Sequence, residues 1–277
     1  MSQPLIYNRR MPMGFGPSAG PRWIPPPFVS DPSRSPKTTL AGVNARAERS
    51  RLEALLPSGL QLDGDGIFTV EVHVLEEIEW LAGRGYNILA LYIPVTYRLG
   101  RNEGRGRFVP VMWESLTDPI LTGRDELGAN KIYAEILPPR VLSGRTHYSA
   151  SWLGFRFFSM TLEGLATPGE ASPVGSARPP LHDGVVSHKF VPRTGSPGEA
   201  DADYLTLWPA PTGPVSLEEE LRGTGQFAFT RATWEELPTQ FHIVNALADL
   251  GELDFLGAFH ARTRGGGNFS DVRILNG

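Results

Sequence analysis

The chain has 277 residues, of which 40% are hydrophobic and 20% are charged, with a formal net charge of −4 and no cysteine. This length allows one large domain or two modest ones, and the acidic balance argues against a general nucleic-acid or anionic-membrane binder. The lack of cysteine excludes disulfides, thiolate catalysis and zinc–thiolate sites, and the six histidines show no compact ligand spacing, so we expect neither a metal nor a cofactor.

Residues 1–36 are rich in Pro, Gly and Arg and show no hydrophobic periodicity. We interpret them as an extended arm that lies over the body or over a neighbouring subunit, because Phe15, Trp23 and Phe28 give it apolar side chains for docking; disorder is the alternative. The N-terminus lacks the apolar core of a signal peptide, and no stretch approaches the roughly 20 apolar residues of a membrane span. We therefore expect a cytoplasmic protein, with residues 37–277 as a single domain.

The first part of this domain combines one helix with several strands. Residues 45–56 place apolar side chains on one helical face, and a Pro-Ser-Gly turn follows. Residues 67–74 alternate, and residues 87–97 form an almost continuous apolar strand. Residues 99–107 are rich in glycine and charge, which is typical of a hairpin connection, and residues 108–113 are the returning strand.

A short helix opens the second part. Residues 118–128 begin with an N-cap Asp and a Pro at the first helical position, and they end at a glycine. The Pro/Gly/Ser-rich residues 166–180 mark either a domain boundary or a long surface loop within one domain, which we favour. An amphipathic helix over residues 234–250 is interrupted near Pro238. The predicted strands here are residues 131–137, 146–162, 185–192, 202–208, 225–230 and 253–263. Because short turns join most of these strands, we expect a β-rich α+β fold with a largely antiparallel sheet, as a barrel or a sandwich.

Lys131 is the conspicuous residue. The chain has 26 basic residues, of which only Lys37, Lys131 and Lys189 are lysines. Arginine cannot lose its proton at accessible pH, whereas lysine can act as an amine nucleophile once burial or a neighbouring cation depresses its pKa. Lys131 lies where a helix leads into an apolar strand. It is either a nucleophile or a strand-end lysine whose ammonium group reaches water.

The motifs around Lys131 resemble those of the acetoacetate decarboxylase-like superfamily. The specific match is a Gly123-Arg124-Asp125 turn followed by Lys131, six residues after the acid. Matches elsewhere are Leu55-Leu56-Pro57, Gly85-Tyr86, Ile93-Pro94-Val95, Phe108-Val109-Pro110, and His188-Lys189-Phe190-Val191-Pro192. The similarity covers nearly the whole chain.

This resemblance implies a mostly antiparallel sheet closed into a β-barrel with a few short helices. It also implies an apolar cavity that holds Lys131, and a homo-oligomer that is a tetramer or larger. The lysine amine would condense with a ketone, and the iminium would serve as an electron sink. In the decarboxylases a β-keto acid then loses CO₂. In related members the iminium of pyruvate becomes an enamine that attacks an aldehyde, and water is then lost.

Two departures from the family pattern bear on the reaction. The decarboxylases carry a second lysine directly after the nucleophile, where this chain has Ile132, and acetoacetate decarboxylase is itself the standard example of a lysine activated beside another cation. The family's second glutamate aligns with Ile88 or its neighbours, so that acid is absent, whereas Glu71 matches the first glutamate. With Ile132 next to the nucleophile, desolvation by the apolar pocket must contribute more to Lys131 reactivity.

Glu71 lies on the strand face opposite Phe68 and Val70, so it is either a general acid/base facing the lumen or an outward, solvated glutamate. Arg124 either binds a substrate carboxylate or only stabilises its turn by pairing with Asp125 or Glu126.

Three aromatic residues are further candidates for binding substrate. Tyr86 and Tyr92 could donate hydrogen bonds to a carbonyl or an aldol hydroxyl, although tyrosines in β-rich cores are usually packing residues. Trp113, together with Glu114, is a candidate for lining the cavity.

We therefore expect a lyase that forms a Lys131 Schiff base with a 2-oxo acid such as pyruvate and catalyses aldol condensation with an aldehyde, followed by dehydration. Its partners would be a keto acid and an aldehyde, and neither nucleic acid nor a membrane. A β-keto-acid decarboxylase using the same lysine is one alternative. The other is a barrel that binds a small ligand without turning it over.

Overall fold

The structure is a computed structural model that describes residues 9–211, 213–266 and 269–276. The first eight residues of the predicted arm lie outside this part of the chain. The described arm residues contain an isolated bridge between Gly20 and Trp23 and a single 3₁₀ turn at Met13–Phe15. Regular sheet begins at Lys37, directly after the predicted end of the arm.

Strands make up most of the domain. In chain order they are β1 (Lys37–Arg46), β2 (Leu60–Leu62), β3 (Ile67–Ile78), β4 (Arg84–Leu99), β5 (Asn102–Phe108), β6 (Met112–Glu114), β7 (Lys131–Tyr133), β8 (Glu135–Ile136), β9 (Arg140–Leu142), β10 (Arg145–Trp152), β11 (Phe155–Ala166), β12 (Gly184–Pro192), β13 (Ala200–Pro209), β14 (Ser216–Phe229), β15 (Asp254–Arg264) and β16 (Arg273–Ile274).

The helices are short: α1 (Arg49–Glu53), α2 (Thr117–Thr122) and α3 (Phe241–Ala248). A π-helical turn at Gly123–Leu127 continues α2, and a 3₁₀ turn lies at Glu79–Leu81. No helix among the described residues has the length and apolar character needed to cross a membrane.

Several sequence predictions differ from these bounds. The hairpin connection expected over residues 99–107 is largely strand β5, and the returning strand expected over residues 108–113 is interrupted between β5 and β6. The helix expected over residues 45–56 is shorter, because residues 37–46 pair with both β3 and β15 as a central strand. The long strand expected over residues 146–162 is a hairpin, in which Leu153 and Gly154 both adopt positive φ and form a tight turn. The expected helix over residues 234–250 is regular only at Phe241–Ala248.

The strands of the described residues join in one sixteen-stranded sheet, with the order β16-β13-β12-β5-β4-β3-β1-β15-β14-β11-β10-β8 along its main path. Most pairs are antiparallel, as predicted; β5 with β12 and β6 with β7 are parallel. The fold is therefore a β-rich α+β fold with few helices. Segment 131–136 pairs with β6 through β7 and with β10 through β8, but no ladder among the described residues joins the two ends of the path, so closure into a barrel stays a prediction.

β4 divides the sheet into two branches. Its C-terminal half pairs with β5, which leads to β12 and β13, whereas its N-terminal half pairs with β6, which leads to β7. One face of β4 contributes Leu89, Leu91 and Ile93 to the main core. The other face carries a second, smaller apolar cluster formed by Ile88, Ala90, Tyr92, Val109 and Met112, against which Leu75, Tyr86, Val185 and Trp208 pack. We call this the second apolar cluster.

Residues 167–183, between β11 and β12, contain no strand. The strands on both sides of this loop belong to the same sheet, since β11 pairs with β14 and β12 pairs with β5 and β13. The loop is therefore held against the body of the domain at both ends.

Candidate active site

Lys131 is the first residue of β7, directly after the turn that ends the π-helical segment. Gly128 adopts the left-handed conformation, with φ 70°, that terminates the helical turn. Two hydrogen bonds then fix the next residues: the Met112 N–H donates to the Asn130 carbonyl (2.9 Å), and the Asn130 side-chain amide donates to the Val109 carbonyl (2.9 Å). The backbone of Lys131 is thereby placed beside Met112 on β6.

The amine of Lys131 is buried. The residue is 6% exposed, and its Nζ lies 2.8 Å from Oε1 of Glu114 and donates to the Pro119 carbonyl at 3.2 Å. The ring of Trp208 lies on a further side, with its centroid 5.8 Å from Nζ. The predicted alternative of an ammonium group that reaches water is therefore wrong.

Glu114 is the carboxylate partner of this amine and is fully buried. Burial raises the pKa of the Glu114 carboxyl, and the Lys131 ammonium only partly offsets this effect. Apart from this ion pair, neither Glu114 oxygen has a hydrogen-bond partner among the described residues. A carboxyl in this position can exchange a proton with the neighbouring amine at 2.8 Å.

Gly123 forms the surface on which the Lys131 side chain lies. A Cβ atom at position 123 would come within 2.5 Å of Cδ and within 2.6 Å of both Cε and Nζ of Lys131. The backbone of Gly123 is helical, with φ −66°, so the glycine is required for space and not for its conformation. The Gly-Arg-Asp turn therefore fixes the path of the lysine side chain.

Arg124 donates from Nη1 to the Lys131 carbonyl at 2.9 Å, and the residue is exposed. It is engaged with the backbone of the nucleophile, and neither Asp125 nor Glu126 is its partner as the structural alternative expected. Its position supports a positioning role and not contact with a substrate at Nζ.

Glu71 lies in the same row of the sheet as Lys131. Across β3, β4, β6 and β7, Glu71 pairs with Ala90, Ala90 with Met112, and Met112 with Lys131. Directly opposed residues project from the same face of a sheet, so both side chains lie on the face of the second apolar cluster. Glu71 is fully buried, in contrast to the alternative of an outward, solvated glutamate.

The surroundings of Glu71 do not suit a proton donor. Burial raises the pKa of its carboxyl. Arg107 and Arg178, together with His73, lower this pKa by more than burial raises it, so the pKa lies well below its usual value. Glu71 thus remains a carboxylate. The general acid/base role predicted for it fits Glu114 better.

Both candidate tyrosines line the second apolar cluster. Burial and the Glu114 carboxylate raise the pKa of Tyr86 well above its usual value. Burial is also the main cause that raises the pKa of Tyr92, and the carboxylates of Glu71 and Glu114 both add to it. Both phenols therefore keep their protons and remain hydrogen-bond donors at neutral pH.

Trp113 was predicted to line the cavity, but it faces the opposite side of β6. It is fully buried in the main core, packs on Phe157 with ring centroids 5.2 Å apart, and donates from Nε1 to Gln240 at 2.7 Å. The Gln240 amide in turn donates to the Tyr133 carbonyl at 2.9 Å. Trp113 thus supports β7 from behind, while its neighbours Met112 and Glu114 face the site.

Three residues of this region receive little or no weight from sequence patterns: Glu114, Arg107 and Arg178. The role of Glu114, a buried glutamate at a strand end, becomes visible only once the structure shows that it faces Lys131. Arg178 belongs to the long loop, 107 positions away from its partner Glu71. Among the described residues, no group of three or more His, Asp or Glu side chains is arranged to hold a metal ion.

The N-terminal arm covers the outer side of the helical turn. Arg10 and Arg22 both form ion pairs with Glu126, the latter at 3.0 Å, and Gly20 lies against Thr122. A cavity of about 450 Å³ lies here, lined by Arg9, Arg10, Met11, Met13, Arg22, Asp125 and Glu126. The described part of the arm therefore contacts the segment that carries Gly123.

Comparisons with known proteins bear on the family and the fold of this chain. The family model described as acetoacetate decarboxylase (ADC) matches residues 10–262. No curated protein matches the chain. Several solved structures share the fold. An acetoacetate decarboxylase-like enzyme from Sphingomonas wittichii RW1 is 19% identical, with TM-score 0.60 and coverage of 83% of this chain and 90% of that chain.

The enduracididine biosynthesis enzyme MppR, complexed with the condensation product of pyruvate and imidazole 4-carboxaldehyde, is 17% identical, with TM-score 0.61 and coverage of 87% of this chain and 88% of that chain. An acetoacetate decarboxylase structure is 14% identical, with TM-score 0.62 and coverage of 92% and 96%. At these identities the structural likeness establishes the fold, and the family model establishes the family.

Proposed function

The chain belongs to the acetoacetate decarboxylase family, and on this premise we propose that it is a lyase that forms a Schiff base between Lys131 and a 2-oxo acid such as pyruvate. The observation that carries the proposal is the buried amine of Lys131, 2.8 Å from a buried carboxyl whose pKa is raised. An amine in this setting can pass its proton to Glu114 and become nucleophilic without contact with bulk water.

In the first stage, Glu114 accepts a proton from the Lys131 ammonium group. The neutral amine then attacks the carbonyl carbon of the 2-oxo acid, and the carbonyl oxygen takes up the proton that the attacking nitrogen releases, which gives a carbinolamine. Loss of the hydroxyl group as water, with a proton returned from Glu114, leaves the iminium ion. Tyr86, whose phenol keeps its proton and lies near Glu114, can donate a hydrogen bond to the departing oxygen.

In the second stage, the iminium ion transfers a proton from the carbon next to it to the Glu114 carboxylate and becomes an enamine. The enamine carbon attacks the carbonyl carbon of an aldehyde, and the aldehyde oxygen takes up the proton from Glu114. The former enamine carbon then loses its second proton to Glu114, which returns it to the departing hydroxyl group, so that water leaves; hydrolysis of the iminium ion releases an unsaturated 2-oxo acid and restores the lysine. Pyruvate and the aldehyde are thus converted to this product and one net molecule of water.

Two observations favour the aldol reaction over decarboxylation. The side chain next to the nucleophile is that of Ile132, which packs against the main core, so the second ammonium group of the decarboxylases is missing. The neighbour of the Lys131 amine is instead a carboxyl that can move protons, which enamine formation and dehydration both require. The pyruvate condensation product held by the similar enzyme MppR is consistent with this proposal.

Product analysis separates the proposed function from its alternatives. The protein is incubated with pyruvate and a panel of aldehydes, and separately with acetoacetate, and products are identified by mass spectrometry. Unsaturated 2-oxo acids from the first mixture are expected, and these should be lost in Lys131→Gln but retained in Lys37→Gln, which changes an exposed lysine. Acetone and CO₂ from acetoacetate, without condensation products, would instead identify a β-keto-acid decarboxylase.

If neither mixture reacts while the acids still bind, the domain is a small-ligand-binding protein. The homo-oligomeric state and the cytoplasmic location stay predictions of the sequence.

A further inference from the structure

A second buried ionic group lies on the same face of the sheet as Lys131. Glu71 receives hydrogen bonds from Arg107 Nη2 at 2.7 Å and from Arg178 Nη2 at 2.9 Å, and His73 Nε2 lies 2.9 Å from its second oxygen. Arg107 is 1% exposed and is among the largest fully buried side chains. We call these four residues the Arg107 cluster.

The charges of the Arg107 cluster do not balance. Two guanidinium groups share one carboxylate, and burial lowers the pKa of His73 more than Glu71 raises it, so this histidine is neutral near pH 7. The cluster therefore carries one excess positive charge. Buried charges are normally paired, because an unpaired ion loses its hydration without compensation.

The excess charge coincides with unused donors. Only Nη2 of Arg107 is hydrogen-bonded; Nε and Nη1 are buried and have no partner among the described residues. The guanidinium group lies over the ring of Tyr92, 4.2 Å from its centroid, which fixes its orientation. A buried arginine with two unpartnered nitrogen donors is a site prepared for one further anion.

Two rows of paired residues connect the cluster to the surroundings of the amine. Arg107 pairs with Val185, Val185 pairs with Trp208, and the ring of Trp208 faces Lys131 Nζ. On the other branch, Glu71 and Lys131 share one row through Ala90 and Met112. Tyr92 contacts the cluster through the Arg107 guanidinium group and belongs to the second apolar cluster with Met112, the residue paired with Lys131.

We propose that Arg107, assisted by Arg178, binds a carboxylate group of the substrate that reacts at Lys131. This inference rests on the proposed function and explains why the site would select substrates that carry a carboxylate group. One carboxylate neutralises the excess charge and can accept hydrogen bonds from the free donors of Arg107. Arg124, the sequence candidate for this role, is occupied by the Lys131 carbonyl.

Arg178 brings the long loop into substrate recognition. The Asn44 side-chain amide donates to the carbonyls of Gly175, at 2.6 Å, and Ala177, at 2.8 Å, and thereby holds the loop on β1. Ser176, between them, is fully buried. Arg178 follows directly and reaches Glu71 with a side chain that is 37% exposed, so this arginine is placed at the entrance to the cluster.

The first test measures carboxylate binding without any carbonyl chemistry. Butyrate binding is followed by calorimetry in the wild type, Arg107→Met, Arg107→Lys, Arg178→Met and the control Arg101→Met, which changes an exposed arginine of the β4–β5 turn. Charge-assisted hydrogen bonds of this kind correspond to about 10- to 100-fold in affinity, and we expect that loss in Arg107→Met. Arg107→Lys, which keeps the charge, should lose less, and Arg101→Met should bind as the wild type.

Equal affinity in the wild type and in folded Arg107→Met and Arg178→Met would overturn the proposal. This test does not depend on Lys131, so Arg107-dependent butyrate binding together with no imine at Lys131 would refute the proposed function and leave the anion site standing.

The second test locates the carboxylate within the substrate. Reductive trapping at Lys131 is compared for pyruvate, acetoacetate and levulinate, each against its methyl ester. The acid should be trapped about 10- to 100-fold more efficiently than its ester in the wild type, and Arg107→Met should abolish this preference for at least one of the three acids. The acid that shows the largest Arg107-dependent preference gives the spacing between carbonyl and carboxylate. The same acid preference in wild type and Arg107→Met for all three would contradict the proposal.

Discussion

Glu114 lies directly opposite Ile88 on the neighbouring strand, and its carboxylate is 2.8 Å from Nζ of Lys131. The resemblance to the family aligns Ile88 or one of its neighbours with a glutamate that this chain lacks. Opposed residues on paired strands share one face, so Glu114 on β6 places a carboxyl on the same face as Ile88 of β4. An acid thus remains beside the nucleophile, although it comes from a different strand.

The first prediction concerns this carboxyl. Glu114→Gln removes the proton acceptor for Lys131 and keeps the side-chain shape, so we expect the rate of imine formation with pyruvate to fall by about 10²- to 10⁴-fold. The measurement is single-turnover trapping over a range of pH. The control, Glu103→Gln, changes an exposed glutamate that pairs with Arg98. A rate close to that of the wild type, without the roughly 10²-fold loss that removal of a general base causes at the least, would exclude Glu114 as the proton acceptor.

The second prediction concerns the space beside the lysine. Gly123→Ala places a methyl group on the Lys131 side chain and must displace its amine from Glu114 and Pro119. Because alanine favours a helical position over glycine, stability should change by no more than about 1 kcal/mol, while trapping falls at least about tenfold. Urea unfolding and trapping rates measure the two effects. Gly169→Ala, where nothing lies within 4 Å of the added carbon, is the control.

The third prediction concerns acid stability. The pKa of Glu71 is lowered in the folded protein, so its ionised form contributes stability that is fully present above the unfolded value of 4.5 and is lost as pH falls below it toward the lower folded pKa. The free energy of unfolding should therefore decrease below roughly pH 4.5 in the wild type, and Glu71→Gln should flatten this decrease. Equal pH slopes in both proteins would show that Glu71 is not held as a carboxylate.

The fourth prediction concerns the arm. Glu126 is the shared partner of Arg10 and Arg22, so Glu126→Ala should release the arm and speed its cleavage in limited proteolysis, at a cost of about 1–3 kcal/mol for the lost charged hydrogen bonds. The neighbouring Asp125 is exposed, and Asp125→Ala is the matched control. Unchanged cleavage in Glu126→Ala would show that the arm is held by other contacts.

The sequence is sufficient for features that depend on local pattern. The alternation of residues 67–74 correctly separates Glu71 from Val70 and Val72, and Gly128 correctly marks the end of the helical turn before Lys131. The β-rich antiparallel character also follows from short turns between strands. The exact extent of β1 cannot be predicted from local pattern, because its strand conformation depends on pairing with β3 and with β15, which is distant in the chain.

The facing of β6 cannot be predicted for a related reason. Phe108 and Val111 face the main core with Trp113, whereas Val109 and Met112 face the second apolar cluster. Strict alternation from Val109 would place Trp113 on the same face of the sheet as Val109. However, β5 ends at Phe108 and strand conformation begins again only at Met112, which shifts the alternation by one residue. A prediction from alternation alone therefore assigns Trp113 to the site and gives Glu114 too little weight.

Arg107 and Arg178 illustrate the part of a site that only tertiary structure reveals. Arg107 lies in a segment whose glycines and charges indicate an exposed hairpin, yet pairing with β12 buries its end. Arg178 lies in a loop whose composition predicts a surface position. Its contact with Glu71 depends on the hydrogen bonds by which Asn44 holds that loop on β1.

Trapping of the Lys131 imine tests the central proposal most directly. The protein is treated with pyruvate and cyanoborohydride, digested, and examined by mass spectrometry for the peptide that contains residue 131. We predict a reduced pyruvate adduct on Lys131 in the wild type and in Lys37→Gln, and none in Lys131→Gln. A folded wild-type protein with no adduct, or with an adduct on Lys37 or Lys189 in place of Lys131, would contradict the assignment of Lys131 as the Schiff-base nucleophile.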